Sequence, residues 1–124
     1  MELRCLIVDD NAEFLEAAAD LLRREGVRVV GVASTIAETL RKADELRPDV
    51  YLVDIDLGGE SGFDLAERLA QIPELKPSQV ILTSTYAEVD FAELIAASPA
   101  AGFVSKSRLS GRALHEALGA DIAG

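Results

Sequence analysis

The chain has 124 residues, 49% hydrophobic and 27% charged, the make-up of one ordinary globular domain with enough apolar material to fold without disulfides or a structural metal. Its 22 acidic residues against 12 basic ones give a formal charge of −10, which argues against a surface that grips nucleic acid and favours a cation wherever carboxylates concentrate. No apolar run approaches the ~20 residues of a membrane-spanning helix, Met1-Glu2-Leu3-Arg4-Cys5 does not look like a secretory leader, and one cysteine cannot form an internal disulfide, so a cytoplasmic setting is expected.

The first apolar run, Cys5-Leu6-Ile7-Val8, is unbroken, as expected for a strand buried on both faces. Asn11 to Arg24 follows as a helix with Phe14, Leu15, Ala18 and Leu22 on one stripe, and Gly26 stands just past its end as a stop signal. Val27 to Ala33 reads as a second strand. Thr35-Ile36-Ala37-Glu38 is a capping box, in which the Thr35 and Glu38 side chains each satisfy an orphan backbone N–H. It opens a helix carrying Ile36, Leu40 and Ala43 that stops before Pro48. Val50-Tyr51-Leu52-Val53 is the third strand. The stretch Leu57-Gly58-Gly59-Glu60-Ser61-Gly62 then leads to a helix with Leu65 and Leu69 one turn apart. Pro73 and Pro77 bracket the next turn, and Val80-Ile81-Leu82-Thr83 is the fourth strand. Glu88 to Ala97 is helical and Pro99 ends it. Gly102-Phe103-Val104-Ser105 is a short fifth strand, and Ser110 to about Gly119 is a last short helix.

Five strands alternating with five helices imply a parallel sheet with helices on both faces, and right-handed crossovers make it doubly wound. The expected fold is α/β, with residues 1–124 as a single domain. Ligands of such sheets sit beyond the carboxyl ends of the strands, where the strand order reverses. The polar residues that end the apolar runs therefore belong together: Asp9-Asp10, Asp54, Ser84-Thr85 and Lys106. Three crowded carboxylates repel one another, and a hard divalent cation with oxygen ligands, Mg²⁺ (or Mn²⁺), relieves the repulsion. A carboxylate is also a nucleophile toward phosphorus, and phosphoryl transfer asks mainly for positioning and for neutralisation of the equatorial oxygens. A metal can neutralise one oxygen, Lys106 a second, and the Ser84 hydroxyl with a backbone N–H a third.

Over essentially its whole length the sequence resembles the receiver domains of two-component response regulators. The likeness is carried by Val8-Asp9-Asp10-Asn11, Leu52-Val53-Asp54-Ile55-Asp56, Gly62, Ile81-Leu82-Thr83-Ser84 and Gly102-Phe103-Val104-Ser105-Lys106. Each motif alone is weak; five in order at the right spacing are specific. The resemblance implies a flavodoxin-like, doubly wound five-stranded parallel sheet of order 2-1-3-4-5. It also implies Asp54 as the phosphoacceptor, Asp10 and Asp54 as direct Mg²⁺ ligands, Asp9 as a ligand through water, and the Asp56 backbone carbonyl as the last protein ligand. Ser84 would turn inward to hold the phosphoryl group, Lys106 would pair with it, and Phe103 would be the aromatic switch. Asp56, Thr85 and Tyr86 would flank the phosphoryl group and control water access, bulky Tyr86 slowing hydrolysis. The implied partner is a sensor histidine kinase. The surface of the fourth helix, fifth strand and fifth helix would then meet a homodimer partner or an output domain.

Two positions depart from the family pattern. Gly58 stands where the family often has proline, which implies a more mobile loop after Asp54, and Ser107 follows Lys106 where many members have proline. Both variants resemble the branch whose output is a helix-turn-helix DNA-binding domain that regulates transcription. The short last helix and the stretch Ala120-Asp121-Ile122-Ala123-Gly124 suggest a piece of a longer regulator from which such a domain is missing.

Blander readings stand beside these. Asp9 or Asp10 could simply cap the first helix, Lys106 could be a solvated side chain, and Thr83 rather than Ser84 could face the site, since alternation sends the two to opposite sides. Cys5 reads as a small core residue, His115 as exposed, and the glycines at 58, 59 and 62 as a flexible turn, since they lack phosphate-loop or dinucleotide spacing. Asp54-Ile55-Asp56 also resembles the Asp-x-Asp signature of haloacid-dehalogenase-type phosphohydrolases. Against that reading stand Gly58 and the absence of a cap insertion. A phosphorylation-independent pseudo-receiver would show a lost acidic residue or lysine, and none is lost. A flavodoxin-like electron carrier is disfavoured by 5% aromatics and no tryptophan.

Overall fold

A computed structural model describes residues 3–75, 79–86 and 88–119. Pro77 and Ala120 to Gly124 lie outside them. Five strands, β1 (Arg4–Val8), β2 (Arg28–Ala33), β3 (Val50–Asp54), β4 (Gln79–Ser84) and β5 (Gly102–Ser105), alternate with five helices. These are α1 (Ala12–Arg24), α2 (Ile36–Leu46), α3 (Gly62–Ala70), α4 (Ala92–Ala97) and α5 (Gly111–Leu118). The strands form one parallel sheet of order β2-β1-β3-β4-β5. This is the doubly wound α/β fold and the strand order that the sequence implies.

Alternation along the strands explains why the apolar runs are unbroken. Cys5, Ile7, Val50, Leu52, Ile81 and Val104 pack with Leu15, Ala18 and Leu22 of α1 and Leu114 and Leu118 of α5. Their neighbours Leu6, Val8, Tyr51, Val53 and Leu82 point the other way, against Ile36 and Ala43 of α2 and Leu65, Ala66 and Leu69 of α3. Each strand therefore feeds two cores, and no face is left for polar residues until the strand ends. Cys5 is fully buried, and burial pushes its thiol up to about 12, as befits a core residue.

The helix ends show the local chemistry. Asn11, Thr35, Ser61 and Ser110 cap α1, α2, α3 and α5 through their side-chain oxygens. Glu38 departs from a strict capping box: its carboxylate accepts from Ser34 N–H at 2.7 Å, one residue before Thr35. On α2 the third buried residue besides Ile36 and Ala43 is Thr39, not Leu40, because its hydroxyl donates to the Thr35 carbonyl at 2.8 Å and so can be buried. The helix ends at Arg47 in a left-handed conformation before Pro48, and the Arg4 guanidinium takes the carbonyls of Leu46 and Arg47.

Two elements differ from expectation. Glu88 to Ala97 is not one helix but a 3₁₀ turn (Glu88–Phe91) followed by the six residues of α4. None of the α4 residues is buried, and Val89 and Leu94 stand exposed, while Phe91 and Ile95 pack partly against the core. Between β5 and α5, Lys106 opens a further 3₁₀ turn, Lys106–Arg108, which the sequence reading does not include.

Candidate functional site

The strand order reverses between β1 and β3, and the chain there places acids side by side. Asp9, just past β1, is fully buried, Asp54, the last residue of β3, is 7% exposed, and Asp10 is exposed. Carboxylate oxygens of Asp9, Asp10 and Asp54 all lie within 4.8 Å of one another. Lys106 reaches in from the end of β5. Its Nζ stands 2.8 Å from Asp54 Oδ2, to which it donates, and 2.6 Å from Asp9 Oδ2. The Asp9 contact is a close ion pair rather than an aligned hydrogen bond, and among the described residues Asp9 Oδ2 has no hydrogen-bond partner. The remaining oxygens are held by backbone: Asp9 Oδ1 accepts from Asn11 N–H at 2.8 Å, and Asp54 Oδ1 from Asp56 N–H at 3.0 Å.

Burial, helped by the charge of Asp9, pushes the Asp54 carboxyl above its ordinary range, although Lys106 and the Asp56 N–H pull the other way. For Lys106 burial works against the charge, but the hydrogen bond to Asp54 and the negative charges of Asp54 and Asp9 outweigh it and raise the ammonium's pKa. A carboxyl raised in the folded state contributes stability below its unfolded pKa and loses it as pH rises through the folded value. Asp54→Asn should therefore raise the thermal midpoint of the metal-free protein at pH 7, and the gain should vanish as the pH falls into the ordinary carboxylate range. Thermal unfolding in EDTA across pH checks this; a midpoint lowered at pH 7 would contradict the balance of charges described here.

The cleft over these groups encloses about 670 Å³ and is also lined by Asp56, Ser84, Thr85, Tyr86 and Phe91. Ser84, the last residue of β4, is 4% exposed and its Oγ accepts from Tyr86 N–H at 3.0 Å. Thr83 is buried and does not line the cleft, as the alternation along β4 requires. Tyr86 is 65% exposed and stands edge-on to Phe91, with ring centroids 6.3 Å apart. Phe103 is not in the cleft. It packs half-buried against the α2–α3 core and borders a separate groove of about 520 Å³ with Ala113 and Ala117 of α5.

The glycine-rich loop after β3 is tied down by hydrogen bonds at both ends. Leu57 N–H donates to Glu60 O, Gly62 N–H to Ile55 O, and Gly58 N–H to the Asp56 carboxylate. Glu60 accepts from Ile36 N–H at 3.0 Å, tying the loop to the start of α2. Gly58 has φ +64° and lies so close to Asp10 that a Cβ there would stand 2.6 Å from its Oδ2. Proline cannot adopt that φ. Gly58 thus makes room for a site carboxylate.

Two site neighbours escape the sequence reading. Phe14 sits with its ring centroid 4.3 Å from Lys106 Nζ, hidden in the sequence because it also fits the apolar stripe of α1. Phe91 lines the cleft from a segment whose periodicity is poor. Asn11, directly after the acidic pair, is the one legible signal: its side chain accepts from Glu13 and Phe14 N–H and starts α1 beside Asp9.

The family model of the response regulator receiver domain matches residues 5–118. The chain belongs to that family. This receiver is 32% identical over 106 residues to the response regulator GacA of Pseudomonas viridiflava, a match covering 84% of the chain and 48% of GacA. It is similar to the signal receiver domain of the response regulator NarL from Mycobacterium tuberculosis, with a TM-score of 0.80 and 28% identity, over 95% of this chain and 98% of that one. A response regulator from Burkholderia pseudomallei, solved with a phosphorylated aspartic acid, a calcium ion and citrate, gives a TM-score of 0.79 at 25% identity, over 98% of this chain and 69% of that one. The chain spans half or less of the length of such curated relatives, 34% and 48% in two cases. It is thus a phosphorylation-accepting receiver of the two-component type, a family that works with histidine kinases. Membership over residues 5–118 displaces the phosphohydrolase reading of Asp54-Ile55-Asp56. Receiver domains generally perform no catalysis on other molecules. Among the described residues no helix is long and apolar enough to cross a membrane.

Proposed function

We propose that Asp54 takes a phosphoryl group from the phosphohistidine of a partner kinase and that the domain thereby switches a downstream response. The observation that carries this reading is Lys106 bridging Asp54 and buried Asp9 at the point where the strand order reverses, with Asp10 alongside. Three oxygen-donor carboxylates with one oxygen lacking a hydrogen bond suit a hard divalent cation, Mg²⁺ or Mn²⁺. Asp10 and Asp54 would hold it directly, Asp9 through water, with the Asp56 carbonyl completing the protein's share; when bound it supplies positive charge against the phosphoryl oxygens. The Asp54 carboxylate oxygen forms the new O–P bond as the bond from phosphorus to the donor nitrogen breaks, and the donor imidazole leaves with that electron pair. Lys106 then pairs with a phosphoryl oxygen in place of the carboxylate oxygen it now contacts. Asp56, Thr85 and Tyr86 flank the group and limit water access.

The new dianion draws Ser84 off the Tyr86 N–H and inward, and Phe103 rotates toward the space behind it. The surface of α4, β5 and α5 is thereby reshaped, as a population shift between two packings. That surface receives a second copy or an output domain. Residues 1–124 act as one unit in the cytoplasm, without touching nucleic acid themselves. Gly58 and Ser107 favour an output of the helix-turn-helix, gene-regulating kind. Beryllofluoride with Mg²⁺ should shift backbone amide signals of α4, β5 and α5 in the native protein. In Ser84→Ala it should still bind at Asp54 but leave those signals near their free positions. A full shift in the variant would break the proposed coupling, and no response in the native protein would make the domain a pseudo-receiver.

A further inference from the structure

The ammonium of Lys106 has three N–H donors, and two of its neighbours are the carboxylates of Asp54 at 2.8 Å and Asp9 at 2.6 Å. The face of Phe14, 4.3 Å from Nζ to ring centroid, supplies a third. An ammonium over an aromatic face is attracted by the ring's negative quadrupole, and the ring keeps water off that side. With 14% of its side chain exposed, Lys106 is almost closed off from solvent.

Besides packing against the core, Phe14 is tied to the site by hydrogen bonds. Asp9 Oδ1 accepts from Asn11 N–H at 2.8 Å. Asn11 Oδ1 accepts from Phe14 N–H at 3.2 Å, which sets the first turn of α1. The Phe14 ring meets Lys106, and Lys106 returns to Asp9 Oδ2. The four residues form a closed circuit, so the position of the ring is registered to the carboxylate that anchors the lysine.

We infer that Phe14 is a positioning residue for phosphoryl transfer, its ring closing one side of Lys106 so that the ammonium presents its donors only toward Asp9 and the phosphoryl-accepting oxygens of Asp54. Without the ring the ammonium can turn a donor to water, and the arriving phosphoryl group must compete for it. The inference rests on the function proposed above for Asp54.

The test uses acetyl phosphate with Mg²⁺, in which Asp54 forms the O–P bond as acetate leaves with the electrons of its own P–O bond. Phe14→Leu should lower the rate of phosphoryl uptake at saturating donor about tenfold, with Mg²⁺ affinity unchanged because a benzyl side chain offers the cation no oxygen ligand. Phe14→Tyr, which keeps the ring face, should restore the rate to within about twofold of native. A ring present but ineffective, seen as Tyr as slow as Leu, would overturn the inference, as would native-rate uptake in a folded Phe14→Leu. Should the leucine variant not fold, Phe14→Met takes its place. Independently, Lys106 Hε protons in the native protein should show an upfield ring-current shift; signals at ordinary lysine positions would also overturn it. If the native protein takes up no phosphoryl group and also gives no amide response to beryllofluoride with Mg²⁺, the proposed function fails, and the positioning role with it.

Discussion

Replacing Lys106 with methionine is expected to destabilise the metal-free protein by about 3 kcal/mol at neutral pH and to slow phosphoryl uptake by about a hundredfold. The first effect follows from what is left behind. Asp9 is fully buried and Asp54 nearly so, and Lys106 is the cation that meets both. Removing one partner of a buried ion pair leaves an uncompensated charge, which costs more than the pair itself contributes. Here two carboxylates would face each other with nothing between. The loss should shrink in acid, as the carboxyls take up protons, and on adding Mg²⁺, which restores positive charge. The second effect comes from losing a fixed charge aimed at the transferring group. Chemical denaturation with and without Mg²⁺, combined with uptake rates, separates the two. A variant as stable as the native protein in EDTA would mean that the carboxylates do not depend on Lys106.

Gly62→Ala should cost at least ~4 kcal/mol or prevent folding. The methyl carbon would stand 2.1 Å from the Asp54 carbonyl oxygen and 2.9 Å from Ile55 Cα, and both are backbone atoms. No side chain can move aside. Either α3 draws away from the end of β3, taking Leu65, Ala66 and Leu69 with it, or Asp54 itself is displaced. Gly59→Ala is the control. It has φ +100° but nothing within 4 Å of a Cβ, so only backbone strain of about 1–2 kcal/mol applies. Urea unfolding of the two variants should show the difference. Similar small losses in both would mean that the close approach of α3 to β3 is not a constraint in solution.

How far the sequence speaks for itself depends on the residue. Runs such as Ile7-Val8 and Leu52-Val53 declare buried parallel strands because both faces are covered, and the polar residue that ends each run is then placed by topology. That is why Asp9, Asp54, Ser84 and Lys106 could be collected before any coordinates, although they span about a hundred positions. Cross-element contacts were not legible. Glu60 caps the start of α2, 24 residues away in the chain, by a hydrogen bond that no local pattern encodes. Phe14 serves two masters, the apolar stripe of α1 and the ammonium of Lys106, and periodicity reports only the first. Gly58, standing where the family often has proline, implies a mobile loop. Its positive φ and its closeness to Asp10 give it a definite place instead. The segment from Glu88 to Ala97 reads as one helix in sequence, but the chain spends its first turn as 3₁₀ and only the last six residues are α-helical.

The central claim is that Asp54 is the phosphoacceptor. Intact mass after incubation with acetyl phosphate and Mg²⁺, on the native chain and on Asp54→Ala, tests it most directly. The account predicts one added phosphoryl group on the native protein, absent in Asp54→Ala and absent in EDTA. An equal gain in mass by Asp54→Ala would place the phosphate elsewhere and contradict the account.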